Sequence, residues 1–396
     1  MSAAVKQRAL LRIGHRPRVW SVRFPTYGDH GEREGAAIGL VAGVSQDGRA
    51  VRNDFDRVSI FQRPVFNATW DSTLKRWIRL VPLGDPDFSW SPKEARREVV
   101  YRCRPFWYRI ENDAECAPAL VSVTDRPLEG YALAPMFRNG SDFVYRPCFE
   151  MGLDEDGIPH SRAGLTPSCA DLAGLMQQAR RFDACARTES LADWFSDALL
   201  QMVELASWSF YGQLTGNTAS GVTASGAALP NVAASVGTLG SGLPCVWRGK
   251  ENPWKNANSA LCDVLLRKKQ DAQLELCHLA DMRLFDGSLN AHYRSLGDYL
   301  MHTSGVTDIC GFRSASGLWY PAQRATAGIA IKGAAYLFAD HGTGTPVAVA
   351  VGGTSDNAMM PTYVKSSPLN WEAADLSNWR AQRFGARLVL DEGGEA

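Results

Sequence analysis

Nine cysteines and seven histidines are the residues of this chain best suited to metal, redox or proton chemistry. The cysteines, at 103, 116, 148, 169, 185, 245, 262, 277 and 310, include no Cys-x-x-Cys pair, the spacing that sets two sulfurs on one zinc ion or in one redox couple. They read as buried reduced thiols, with a bridge between Cys103 and Cys116 across a hairpin as the alternative. The histidines, at 15, 30, 160, 278, 292, 302 and 341, form no His-x-x-x-His or His-Glu pair, so neither a metal nor any other cofactor is expected. His278 lies in an apolar stretch and reads as a satisfied, partly buried side chain.

Nucleophile and phosphate patterns are equally thin. No Gly-x-Ser-x-Gly elbow precedes a helical pattern, and Ser241 in "GTLGSG" (237–242) belongs to a low-complexity segment. "GTGTP" (342–346) and "AVGGTSDNA" (350–358) lack the lysine and following helix of a phosphate loop and read as turns between strands. "LDEDGIPH" (153–160) has three acids without the acid that closes a calcium loop. The chain is therefore expected not to be an enzyme. Two convergent carboxylates that cut a glycosidic bond are the enzymatic alternative.

Residues suited to recognition are better represented. Loops near the C-terminus hold Trp319, Tyr320, Asn370, Trp371, Trp379 and Arg380. Ring faces stack on sugar C–H surfaces while amides and guanidinium groups bond hydroxyls, so these six are the predicted ligand-binding residues. The 42 basic residues balance 42 acidic ones, which leaves no field to attract a nucleic-acid backbone; nucleic acid is not an expected partner. No stretch approaches the roughly 20 apolar residues that cross a bilayer, so membrane insertion is not expected. The first twenty residues are broken by Arg8 and Arg12 and fail as a secretion signal, so synthesis is expected in the cytosol.

The elements that must position these residues divide at about residue 150. Before it, "RVWSVRFP" (18–25) and "FWYRI" (106–110) carry β-branched and aromatic residues between Gly, Asp, Asn and Pro clusters, the pattern of strands and turns. "SPKEARREVV" (91–100) reads either as a helix capped by Ser91 or as a turn. After the acidic, glycine-containing stretch 149–164, which suits an exposed turn, two helices are predicted. One is capped by Ser168 and Asp171, with Leu172, Leu175, Met176 and Ala179 on one face. The other is capped by Ser190 and Asp193 and runs to about Trp208, with Leu191, Trp194, Phe195, Ala198, Leu199 and Met202 on its stripe. Residues 211–244 are built of Gly, Ser, Thr and Ala and read either as a linker or as a long packed loop. "AAYLFAD" (334–340), "PVAVAVGG" (346–353) and "FGARLVL" (384–390) are predicted strands. The fold class is α+β, with a β-rich region 1–150 for attachment and oligomerisation and a display domain 151–396.

In "WRGKENPW" (247–254), Trp247 and Trp254 are expected to wedge under a loop. Arg248 and Glu251 are expected to pair or to hold backbone groups, and Pro253 to fix the turn. The alternative gives Trp254 to a sugar-stacking surface.

The order of these pieces resembles a stretch common in tailed-phage and prophage structural proteins. The matching residues are Phe106, Trp107, Tyr108, Pro127, Gly130, Tyr131, Pro135, Phe137, Tyr145 and Glu150, followed by "SRAGLTP" (161–167), the helices and "WRGKENPW". The later half is similar to the C-type lectin fold in its formylglycine-generating-enzyme-like branch, whose last strand reads Gly-x-Arg, here Gly385 and Arg387. Lys255, Ala257 and Ser259 stand where that family has glycine and tryptophans. Enzymes of the branch hold copper with two cysteines near the C-terminal end of the fold, and here no cysteine follows Cys310.

The resemblance implies a C-type-lectin-like display domain with two helices, short twisted strands and long loops. It further implies a phage or prophage virion protein, most simply a non-enzymatic tail receptor-binding adhesin. Its partners would be a bacterial surface glycan or protein and other virion proteins, and it would form a homo-oligomer, a trimer by analogy with fibres. A structural particle component without a receptor, a head decoration or a baseplate adaptor, is the alternative, with a polysaccharide-degrading tail enzyme behind it.

Overall fold

The computed structural model describes residues 18–25, 30–46, 49, 51–112, 118–137, 140–207, 223–229, 236–238, 244–253, 256, 258–269, 273–301, 305–324, 335–338, 347–351, 371–375 and 384–392. The architecture is mixed α+β, with a β-rich N-terminal region and two helices later in the chain. Ahead of the helices come β1 (Val19–Arg23), β2 (Glu32–Gly35), β3 (Val65–Asp71), β4 (Arg76–Pro82), β5 (Arg97–Cys103), β6 (Trp107–Asn112), β7 (Pro118–Thr124), β8 (Ala132–Leu133), β9 (Val144–Pro147), β10 (Gly152–Leu153) and β11 (Pro159–His160). The helices are α1 (Leu172–Phe182) and α2 (Leu191–Leu205). After them come β12 (Val236–Thr238), β13 (Cys245–Trp247), β14 (Lys250–Glu251), β15 (Asn258–Lys268), β16 (Gln273–His278), β17 (Arg294–Met301), β18 (Gly305–Ala315), β19 (Leu318–Arg324), β20 (Ala335–Phe338), β21 (Val347–Val351), β22 (Trp371–Asp375) and β23 (Phe384–Gly385).

The N-terminal strands make two larger sheets, ordered β2-β1-β7-β6-β8 and β4-β3-β5-β9, and a two-stranded sheet of β10 and β11. Alternation along the strands sets their inner faces: Trp20 and Val22 of β1 and Val121 and Val123 of β7 are core. On the opposite face Ser21 and Ser122, paired in register, join hydroxyls at 2.8 Å. Residues 91–96 are a turn leading into β5, which takes up 97–100, because the β-formers Val99, Val100 and Tyr101 pair with β3. The C-terminal strands form one large sheet in the order β17-β16-β15-β21-β22-β20-β18-β19, with β23 parallel beside β15. Of the predicted closing strand 384–390 only Phe384 and Gly385 are strand; Val389 makes an isolated bridge to Arg187.

Helix α1 begins later than the Ser168 cap predicts. Asp171 is the residue whose side chain accepts an N–H, from Gly174, while the Ser168 hydroxyl donates to Gln178. Helix α2 has the predicted reciprocal cap between Ser190 and Asp193 and ends at a left-handed Ala206, short of Trp208.

Two apolar clusters fill the interior. One surrounds α2: Leu191, Phe195, Leu199 and Met202 pack with Trp20 and Val121 of the first sheet and with Leu261, Val264 and Leu276 of β15 and β16. The other gathers Leu172, Leu175, Met176, Ala179 and Phe182 of α1 with Trp70 and Val100 of the second sheet and Ala260, Cys262 and Leu265 of β15. Strand β15 thus feeds both cores from its two faces, which a polar-apolar alternation would not allow. Each cluster draws residues from both sides of residue 150, so the packing is continuous across the predicted domain boundary.

Candidate functional site

Helix α2 was read from its cap and its apolar stripe. Its polar residues are buried as well. Asp193, Asp197 and Glu204 lie at i, i+4 and i+11, about three helical turns on one face, and none is more than 2% exposed. Each meets cations brought from elsewhere. Asp193 pairs with Arg146 at 2.7 Å and Arg187 at 2.6 Å, and both arginines also reach Asp391. Asp197 pairs with Arg63 at 2.6 Å and Lys250 at 3.0 Å. Glu204 accepts two bonds from Arg248, one from the Trp247 indole at 2.9 Å and one from the Asn53 amide at 2.8 Å. Every acid of this stripe takes a partner from before residue 150 and at least one from after it.

Electrostatics follows the geometry. Burial alone would raise the Asp193 carboxyl, but Arg146 and Arg187 outweigh it and hold the group well below the usual carboxylate range. Arg63 and Lys250 do the same for Asp197 against its own burial. The Arg63 guanidinium also stacks between Tyr101 and Trp247, 5.0 and 4.3 Å from the ring centroids. Chemically, these groups are tied to one another as buried ion pairs and hydrogen bonds that fix elements in place.

The turn 247–252 is the second half of this frame. Trp247 is fully buried, and Arg248 faces Glu204, not Glu251. Gly249 has a φ of +83°, and a Cβ there would stand 3.0 Å from Val65 and 3.2 Å from Tyr101, so glycine is the residue that fits. Glu251 holds backbone, accepting the N–H groups of Gly226 and Ala228. Arg387, 1% exposed, donates to the carbonyls of Cys148, Glu251 and Asn252 and so clamps the turn from the closing segment. Trp254 lies outside the described residues.

Of the six predicted ligand residues, Trp319, Tyr320 and Trp371 are described, and the strand register does not bring these three together. Tyr320 is 1% exposed and its hydroxyl donates to Leu296 O at 2.9 Å; it belongs to the core, because β19 turns that position inward onto β17. Trp319 pairs with Ser314 near the tip of the β18–β19 hairpin. Trp371 opens β22 and pairs with Tyr336, which pairs with Thr307 at the other end of β18. The seven positions from 307 to 314 correspond to roughly 23 Å along a strand. Asn370, Trp379 and Arg380 lie outside the described residues.

Other sequence candidates resolve into local structure. Asp154 of "LDEDGIPH" accepts the N–H groups of Asp156 and Ile158 and faces His160 Nε2 at 3.0 Å, while His160 Nδ1 meets Glu98 at 2.7 Å. Asp154 therefore braces a turn. His278 is buried, 3.5 Å from Asp263. Among the described residues no group of three or more His, Cys, Asp or Glu is arranged to hold a metal ion. Cys103 is a free buried thiol, pushed up by burial to about 11, and its predicted alternative partner Cys116 lies outside the described residues. Ser241 and His341 also lie outside them.

The buried acidic stripe was missed in the sequence, though a signal existed. "LADWFSDALLQMVEL" has three acids and no base, whereas a solvated helix face normally mixes both signs. No protein-family model matches the chain, and no curated protein is found similar to it.

Proposed function

We propose that this chain is a non-enzymatic receptor-binding protein of a phage or prophage particle, an adhesin of the tail that displays C-terminal loops on a C-type-lectin-like scaffold. The observation that carries the reading is Arg387. It is the arginine of the Gly-x-Arg sequence, just past β23, and its guanidinium fastens that closing segment to the last two residues of "WRGKEN", which unites the two ends of the motif behind the lectin-like resemblance. The buried state of Phe106, Tyr108, Phe137, Tyr145 and Glu150 supports it too, because residues that match a structural pattern belong in a core.

A frame locked by ion pairs suits a display role, since loops recognise best when their roots do not move. In this proposal the ligand is a surface glycan or protein of the bacterial host, and copies associate as a homo-oligomer, a trimer, so that weak contacts add. Within the particle the N-terminal sheets attach to sister subunits and other virion proteins.

A second reading, a particle component without a receptor, is favoured by the burial of Tyr320 and by the separation of Trp319 from Trp371 in the strand register. Binding of labelled protein to intact host cells and envelope polysaccharide decides between them, with the Trp371→Ala, Trp379→Ala double variant in parallel and released sugar monitored. Saturable binding lost in the variant, without cleavage, is the adhesin's result. Absence of binding by folded protein to every fraction overturns it in favour of the structural component, and released sugar overturns it in favour of an enzyme.

A further inference from the structure

Lys250, on β14, is 1% exposed, and its ammonium reaches two buried carboxylates, Glu189 Oε1 at 2.5 Å and Asp197 Oδ2 at 3.0 Å. Glu189 stands just before the Ser190 cap of α2 and Asp197 lies on that helix, so the turn 247–252 and the start of α2 meet at one nitrogen. The two acids are held differently. Asp197 is engaged at both oxygens: Oδ1 accepts from Arg63 at 2.6 Å, and Oδ2 accepts from Lys250 and, at 3.4 Å, from the Tyr101 hydroxyl. Its cations keep it a carboxylate. Glu189 is 4% exposed and offers Lys250 one oxygen, while its Oε2 is buried with no hydrogen-bond partner among the described residues. A buried carboxylate oxygen without a donor is poorly stabilised as an anion. Glu189 is thus the acid with a free side, and Asp197 the fixed base across the same amine.

We propose that Lys250 condenses with Glu189 to form an intramolecular isopeptide bond, with Asp197 carrying a proton from the nitrogen to the departing oxygen.

The reaction needs an amine and a carboxyl in contact, water excluded, and a base at hand. Burial weakens the preference for the charged pair, because two ions lose their hydration where an amine and a carboxylic acid lose far less. One proton passes from Nζ to the Glu189 carboxyl, and Nζ then attacks Cδ. As the Nζ–Cδ bond forms, Asp197 takes a second proton from Nζ and delivers it to the oxygen whose bond to Cδ breaks. Water leaves: of the three ammonium protons, one stays on the amide and two depart with that oxygen. Groups held in this way react as if at about 10⁵ M or more. The condensation consumes one cation and one anion, so Arg63 and Asp197 remain as a balanced pair.

The intact mass of the full-length protein, measured in denaturant, reads the bond directly. It is expected about 18 Da below the mass of the sequence, and a protease digest should contain the peptides of Glu189 and Lys250 joined through their side chains. Lys250→Arg keeps the positive charge without an amine that condenses, and should show its full mass with the circular dichroism of the unaltered protein. Asp197→Asn keeps the shape and removes the base, and should leave the two peptides unlinked. Where either variant fails to fold, the unaltered protein carries the test by itself. Folded, unaltered protein at its full sequence mass overturns the proposal. So does a loss of water located anywhere but between Lys250 and Glu189, or a link formed in full by Asp197→Asn.

Discussion

Glu204 gives the sharpest test of the buried stripe. It is fully buried and holds Arg248, Trp247 and Asn53 at once, so Glu204→Gln keeps the shape and removes the charge that Arg248 was desolvated to meet. Arg248 would keep the Phe61 carbonyl and, as a charged partner, Asp56, 3.2 Å away and 44% exposed, and the new amide N–H group would point at other donors. Breaking a buried pair from one side costs about 3–5 kcal/mol. Unfolding entropy of about 2.1 cal/mol/K per residue gives this 396-residue chain about 0.8 kcal/mol/K, so the midpoint should fall by about 4–6 °C. Thermal unfolding followed by far-ultraviolet circular dichroism reads the shift. The control is Asp281→Asn, which breaks the exposed pair with Arg283 and should leave the midpoint where it was. A fall under 1 °C for Glu204→Gln would refute the reasoning, because it would mean that water already reaches the pair.

Other parts of the frame respond to different perturbations. Leu175→Ala, at a fully buried position of α1, should lower stability in urea by about 2–5 kcal/mol with the slope unchanged. Gly249→Ala combines a left-handed backbone with a Cβ pressed on Val65 and Tyr101, and should cost about 1–3 kcal/mol in the same assay. The carboxyls of Asp193 and Asp197 lie below their ordinary 3.8 because their arginine and lysine partners outweigh burial. Their contribution is complete above the unfolded value and is lost as pH falls through the folded ones. The urea midpoint should therefore drop steeply below about pH 4, and a midpoint that held steady to pH 2 would contradict these pairings.

The strands and helices were legible where side-chain periodicity carries the information. β1 and β6 follow from β-branched and aromatic runs, and the α2 cap follows from Ser190 and Asp193 at the right spacing. Asp171 was misplaced by one capping step because Ser168 offers the same chemistry three residues earlier, and only the backbone chooses between them. Tyr320 was taken for a ligand contact because a tyrosine's ring and hydroxyl serve a core and a binding surface equally well. Leu296 O, supplied from 24 residues away, is what makes it a core residue. The buried stripe was illegible for a related reason: Asp193, Asp197 and Glu204 look solvated until Arg63, Arg146, Lys250 and Arg248 arrive from distant strands and turns.

That arrangement bears on the division at residue 150. Asp193 depends on Arg146, Asp197 on Arg63, and Glu204 on Asn53, all from the N-terminal side, while Arg187, Lys250 and Arg248 supply the other half of each contact. A fragment of residues 151–396 would keep one cation for each acid but lose Arg63 and Arg146, and it would strip Trp20, Val121 and Val123 from the apolar face of α2. Removing partners from two buried acids costs several kcal/mol, and the uncovered apolar face adds to that loss. Together these approach the whole stability of a typical domain, about 5–15 kcal/mol. The fragment is therefore expected to lack a cooperative unfolding transition and to bind a hydrophobic dye. Co-expression with residues 1–150 should restore the transition. A fragment that melts cooperatively by itself would show that α2 finds its partners within the C-terminal half, and the charge stripe would then be a seam between two independent folds.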